Sequence, residues 1–291
     1  MPRAASNGIE LEYETFGDDA DPPLLLVHGL GAQLGSWDDE FVAGLVDRGF
    51  FVIRFDNRDI GLSTKIDADV DVMEAVTRAL GGQPVHAPYL LADMADDALG
   101  LLDALAIDRA HLVGVSMGGM IVQQMAIDHP ERVLSLTSIM STTGDPGVGE
   151  PDPSVIPVLL TPAPPEREAF IEQQTEGSRL IGSPEHFDED RTRARHARAY
   201  DRCYHPAGVT NQLMAVLASP PRSAGLRELD IPSLVIHGDL DPLVNVSGGE
   251  RTAECLRGSE LLVLDGMGHD IPAYYWPRVI EAITALAARA S

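Results

Sequence analysis

Leu112-Val113-Gly114-Val115-Ser116-Met117-Gly118-Gly119-Met120-Ile121-Val122-Gln123-Gln124-Met125-Ala126 is the stretch on which the fold turns. A short apolar run closes on a G-x-S-x-G, and apolar residues then recur at helical spacing. A sharp strand-to-helix turn holds such a serine in a strained backbone conformation. Glycines on either side leave no side chains to collide. The hydroxyl then stands above the sheet edge, with the N–H groups of a helix N-terminus beneath it to stabilise a developing oxyanion. Without the strand before and the helix after, the same five residues would be an ordinary small-residue turn.

Outward from that turn, short apolar runs alternate with longer amphipathic ones, the pattern of an α/β sheet. Ile9 to Phe16 alternates like an edge strand. Leu24 to Val27 and Phe50 to Phe55 are continuous apolar runs, as expected of strands buried on both faces. Val133 to Ile139, Ser233 to Ile236 and Leu261 to Leu264 complete the set. From Gly144 to about Arg222 the rhythm breaks. A loop rich in Pro and Gly leads into helix-like segments at Glu166 to Leu180 and Asp188 to Tyr204, then an apolar segment from Val209 to Leu217. Residues 144–222 are therefore expected to form a helical cap, inserted into a core built from residues 1–143 and 223–291.

A serine hydroxyl is a poor nucleophile unless a base takes its proton and a third group orients that base. His269, in Asp265-Gly266-Met267-Gly268-His269, is the candidate base, with Ser116 as nucleophile. Asp241, in His237-Gly238-Asp239-Leu240-Asp241-Pro242, is the candidate acid, and Asp239 is its rival. Pro242 stiffens the Asp241 turn, whereas Asp239 lies closer to the strand end and suits a turn-bracing role. All these candidates follow C-terminal strand ends, where open α/β sheets place their sites. His86, His111, His129, His186, His196 and His205 are read as packing or surface histidines in helical or loop contexts. His28 is read as a structural histidine bonding its loop backbone.

Composition limits the partners. Lys plus Arg is 21 against 45 Asp plus Glu, a formal net charge of −24, which repels nucleic acid and anionic membrane. Two cysteines, Cys203 and Cys255, lack metal or redox spacing. No metalloprotease, P-loop or dinucleotide motif is present, so no cofactor and no metal are expected. No apolar run approaches the ~18 residues of a membrane span, and Met1 to Gly8 has no signal-like apolar core. The expectation is a cytoplasmic protein.

These segments resemble, in order and over Ile9 to about Ala288, the α/β-hydrolase superfamily. His28-Gly29-Leu30-Gly31, Gly114 to Gly118, Gly238 to Pro242 and Gly266 to His269 carry the resemblance. Asp56-Asn57-Arg58-Asp59-Ile60-Gly61-Leu62-Ser63 is similar to the version found in bacterial carboxylesterases of the aclacinomycin methylesterase-like subgroup. The resemblance implies an α/β-hydrolase fold, with an eight-stranded, mostly parallel sheet and an inserted helical cap after the sixth strand. It implies Ser116, Asp241 and His269 as catalytic triad, in the family's chain order, and the Leu30 and Met117 amides as oxyanion hole. By the same comparison, Arg58 and Asp59 are read as a buried brace rather than a substrate site.

The function expected is a serine carboxylesterase that passes through an acyl-enzyme on short- to medium-chain or apolar small-molecule esters. Val155, Ile156, Val158, Leu159, Leu160, Phe170, Leu180, Ile181, Leu213, Met214 and Leu217 are candidates to face the pocket, although gluing the cap to the core explains most of them as well. The same triad also serves C–C bond, lactone or amide hydrolysis, and a capped fold of this kind can act as a small-molecule receptor with a slow triad.

Overall fold

Neighbouring residues of the apolar runs feed two different cores. Leu25 and Val27 pack on one side of the sheet with Leu101, Ile121 and Met125. Leu24 and Leu26 pack on the other with Phe41, Leu45 and Ile283. That period of two, apolar on both faces, is what a parallel strand covered by helices on each side requires.

The computed structural model describes residues 2–290. Its strands are Arg3–Ser6 (β1), Ile9–Phe16 (β2), Pro23–Val27 (β3), Phe51–Phe55 (β4), Ala110–Val115 (β5), Val133–Ile139 (β6), Ser233–Gly238 (β7) and Glu260–Leu264 (β8). They form one sheet in the order β1-β2-β4-β3-β5-β6-β7-β8. β2 runs antiparallel to both β1 and β4, and the remaining pairs are parallel.

The helices are Asp39–Val46 (α1), Val72–Leu80 (α2), Leu91–Ala104 (α3), Met117–Asp128 (α4), Ile156–Leu160 (α5), Arg167–Ile181 (α6), Glu189–Arg202 (α7), Pro206–Ala218 (α8), Ser223–Arg227 (α9), Ser247–Cys255 (α10) and Trp276–Ala287 (α11). α3 and α4 cover one face of the sheet, and α1 with α11 the other. This is the α/β-hydrolase fold, and α5 to α8 are its helical insertion between β6 and β7.

Among the elements that were not anticipated, two bear on the insertion and the sheet edge. β1 is a hairpin partner of β2, turning through Asn7 and Gly8, both at positive φ (47° and 79°); an Asn-Gly pair suits a two-residue hairpin turn because both central residues adopt that conformation. α2 packs beside α8, with Ala75 in one small apolar cluster with Leu213 and Met214. His111 also departs from the sequence reading. It lies within β5, buried, with its Nδ1 2.8 Å from Ser135 Oγ.

The chain leaves β3 toward β4 and returns across it to β5, so strand order reverses between β3 and β5. Val27 pairs with Gly114 at the carboxyl ends of these two strands. A crevice opens at such a switch point, and the loops carrying residues 28–31 and 116 both emerge there.

Candidate active site

Ser116 sits at φ 55° and ψ −122°, between the end of β5 and the start of α4. Its N–H donates to the Ile139 carbonyl at 2.9 Å, and its own carbonyl accepts from Ser141 Oγ at 2.8 Å. The flanking glycines are needed for space. A Cβ at Gly114 would drive into the Gly118 carbonyl, and a Cβ at Gly118 into the Val27 carbonyl. The turn is thus clamped between its own helix and β3, and the strain at Ser116 is held by its surroundings.

His269 follows β8 and presents Nε2 to Ser116 Oγ at 3.0 Å. Its Nδ1 lies 2.7 Å from Asp241 Oδ2. Asp241 is fully engaged: Oδ1 accepts the N–H groups of Leu243 and Val244, each at 2.9 Å. Burial would push its carboxyl up, but the His269 charge and the hydrogen bonds of His237, His269 and Val244 outweigh it and hold the acid well below the usual carboxylate range. Asp239 does something else. Its Oδ1 accepts the Gly266 N–H at 2.7 Å, tying the β7 and β8 loops together.

His237 was not singled out by sequence. Its Nε2 lies 2.7 Å from the Val244 carbonyl and 3.5 Å from Asp241 Oδ2, packing the acid from behind. Its position at the end of β7, one residue before Gly238-Asp239, was the available signal.

The loop after β3 lies across from Ser116. Among the described residues, no group of the chain accepts the Leu30 or Met117 N–H, so both amides are free for a ligand oxygen. Gly31, at φ 72°, donates its N–H to Gln212 Oε1 at 2.9 Å. Gln212 belongs to α8 and is completely buried. His28 accepts the Gly29 N–H on Nδ1 at 2.7 Å. Burial, then the nearby Arg195 charge, pull its pKa down to about 3, which keeps a neutral ring beside the crevice.

The loop after β4 is a buried polar brace. Arg58 donates Nε to Asp97 Oδ2 at 2.6 Å and Nη2 to Oδ1 at 2.7 Å. Asp59 accepts the Tyr89 hydroxyl at 2.7 Å and Asn211 Nδ2 at 3.1 Å. Asp56 accepts the Leu34 N–H at 2.7 Å and Arg202 Nη1 at 2.7 Å. Asn211 and Arg202 come from α8 and α7, so this loop ties the helical insertion to the sheet.

Between insertion and core lies a cavity of about 750 Å³, lined by Ser116, His269 and Leu30. Val158, Leu159, Leu160, Phe170, Leu180, Ile181 and Leu213 also reach it. Val155, Ile156, Met214 and Leu217 do not. Met214 and Leu217 turn instead toward α2, and Ile156 is exposed. Arg195 and Asp270, which sequence did not single out, stand on the cavity wall. Among the described residues, no group of three His, Cys, Asp or Glu is arranged to hold a metal ion, and no helix is long and apolar enough to cross a membrane.

A family model described as the alpha/beta hydrolase fold matches residues 22–273. The chain is 32% identical to the rhodomycin D methylesterase of Streptomyces sp. strain C5, over 95% of this chain and 94% of that one. It is 28% identical to a 3-oxoadipate enol-lactonase of Acinetobacter baylyi, over 88% of this chain and 85% of that one. Among solved structures, it resembles a meta-cleavage product hydrolase from Pseudomonas fluorescens IP01. That likeness has a TM-score of 0.76 and 19% identity, and covers 100% of this chain and 98% of the other.

Proposed function

The chain belongs to the alpha/beta hydrolase fold family, and from that premise we propose that it is a serine hydrolase cleaving small organic esters through an acyl-enzyme. One observation carries the reading: a continuous hydrogen-bonded line from Ser116 Oγ through His269 to Asp241, opening onto a largely apolar cavity. In this mechanism Ser116 Oγ attacks the carbonyl carbon while His269 Nε2 takes its proton. Asp241, kept ionised by its hydrogen bonds, stabilises the imidazolium. The carbonyl oxygen gathers charge between the Leu30 and Met117 N–H groups. His269 then protonates the leaving alcohol, and water repeats the sequence on the acyl-serine.

The methylesterase relative supports an ester as first choice. A second reading, attack on a lactone, is supported by the enol-lactonase relative. A third substrate type, the carbon–carbon bond of a 2-hydroxy-6-oxo-dienoate, is supported by a hydrolase of that class, 27% identical over 90% of this chain. In all three, the serine and its base meet a carbonyl, and they differ in the leaving group.

The test is a panel of p-nitrophenyl butyrate, a δ-lactone and a 2-hydroxy-6-oxo-dienoate, with turnover measured for the native chain and for S116A. Ester turnover that vanishes in S116A, together with fluorophosphonate labelling of Ser116, supports the proposal. Turnover of the dienoate alone moves the assignment to carbon–carbon cleavage. Ligand-induced stabilisation without turnover or labelling refutes the enzyme reading.

A further inference from the structure

Arg195 is the one arginine of α7 that lines the cavity. Arg191, Arg193 and Arg202 on the same helix are matched within the chain, and Arg198, which has no partner among the described residues, is exposed and off the cavity wall. Arg191 pairs with Asp38 at 3.2 Å and Glu40 at 2.6 Å. Arg193 pairs with Glu172 at 2.6 Å, and Arg202 with Asp56 at 2.7 Å. Among the described residues, Arg195 makes no hydrogen bond and no ion pair. Asp38 and Asp270 are near enough to act on its charge, but neither bonds it: Asp38 pairs with Arg191, and Asp270 accepts from neutral Ser183. Arg195 shares the cavity wall with His28 and Leu30 of one loop and with His269 and Asp270 of another. The guanidinium is half-buried and has no bonded counter-ion among the described residues, so its donors face the cavity unpaired and can donate a charge-assisted bond to an anionic group there.

We propose that Arg195 forms an anion subsite of this cavity, so that the substrate is an amphiphilic acid ester: an apolar body, a scissile ester and one free carboxylate. This rests on the serine-hydrolase reading and names its substrate class. A planar carboxylate matches the two-pronged guanidinium face. A dianion does not suit the place, because Asp38 and Asp270 stand close by. The apolar residues from the insertion accept the body of the molecule, as the sequence suggested, while the cation selects which end enters. Arg195 also borders a second, charged crevice shared with Arg191, Arg198 and Arg202, so service to that crevice alone is the competing role.

Two matched substrate pairs test it, since the carboxylate can lie on either side of the ester: p-nitrophenyl hydrogen adipate against p-nitrophenyl hexanoate, and 4-carboxyphenyl hexanoate against phenyl hexanoate. The ratio of kcat/KM within each pair is measured for the native chain, R195M and R195K, with active sites counted by fluorophosphonate labelling. In one pair, the native chain is expected to prefer the acid about tenfold or more. R195M should erase that preference and R195K should keep part of it. Normal labelling with no acid preference in either pair, or with a preference that R195M leaves unchanged, overturns the subsite while the hydrolase reading stands. Absence of labelling and of turnover on all four esters sinks the hydrolase reading itself, and the subsite with it.

Discussion

Ser183 donates both its backbone N–H (2.8 Å) and its hydroxyl (2.5 Å) to one oxygen of Asp270, the residue that follows the candidate base. The same hydroxyl accepts the Gly268 N–H at 3.0 Å, and the His269 N–H reaches the Ile181 carbonyl at 2.7 Å. The imidazole loop is therefore fastened on both sides to the end of α6. Removing one hydroxyl deletes two of these bonds and leaves a half-buried carboxylate less satisfied. S183A should lower kcat on p-nitrophenyl butyrate about tenfold with a smaller change in KM. Steady-state kinetics decide it, and a kcat within twofold of the native chain would show that the fastening does not position His269.

The two acids of the β7 loop separate cleanly. Asp241 bonds the imidazole, whereas Asp239 bonds the Gly266 N–H. Loss of the orienting carboxylate costs about 10⁴ in kcat where it fixes the tautomer of the base. D241N should fall by about that factor, and D239N by less than tenfold, measured on one ester with labelled active sites. A larger loss in D239N would exchange their roles.

The members of the proposed triad were legible because each must be of one type and must follow a strand end; Ser116, Asp241 and His269, which the structure brings into one hydrogen-bonded line, stand out for that reason. Arg195, Ser183 and Gln212 were not. They lie in the helical insertion, where a polar residue facing inward and one facing solvent look alike until tertiary packing sets the helix rotation. β1 went unread for a different reason. Its signal, Asn7-Gly8, was present, but four residues such as Arg3-Ala4-Ala5-Ser6 have no apolar alternation, and only pairing with Ile9 to Glu12 makes them a strand. Met214 and Leu217 stayed open between cavity wall and cap packing because α2, the helix they cover, was not foreseen.

Gln212 offers a test of how the insertion shapes the loop after β3. Its side chain accepts from Gly31 N–H at 2.9 Å and donates to the Arg58 carbonyl at 2.9 Å, holding the Leu30 amide from the residue beside it. Q212A should cost about 10- to 100-fold in kcat, less than loss of an oxyanion donor itself, which costs about 10²–10³. If kcat is unchanged while thermal stability drops, Gln212 only staples α8 to the core.

His111 predicts the acid limb of stability. Burial, then the neighbouring Arg109 charge, pull its pKa down to about 4 from 6.5. Between those values the unfolded imidazole binds a proton and the folded one does not, so acid favours unfolding. This contribution is complete at neutral pH, begins to fade as pH falls below about 6.5 and levels off below about 4. Each proton taken up only on unfolding tilts stability by about 1.4 kcal/mol per pH unit. His28 and His196, also pulled down to about 3 and about 4 by burial, add to the tilt. H111N removes one such contribution, at the cost of some stability at pH 7 from the lost packing against Phe50. Urea unfolding at intervals from pH 7 to 4.5 should give a shallower slope for H111N, by up to about 1.4 kcal/mol per pH unit. Parallel curves would mean that His111 titrates in the folded chain much as it does in the unfolded one.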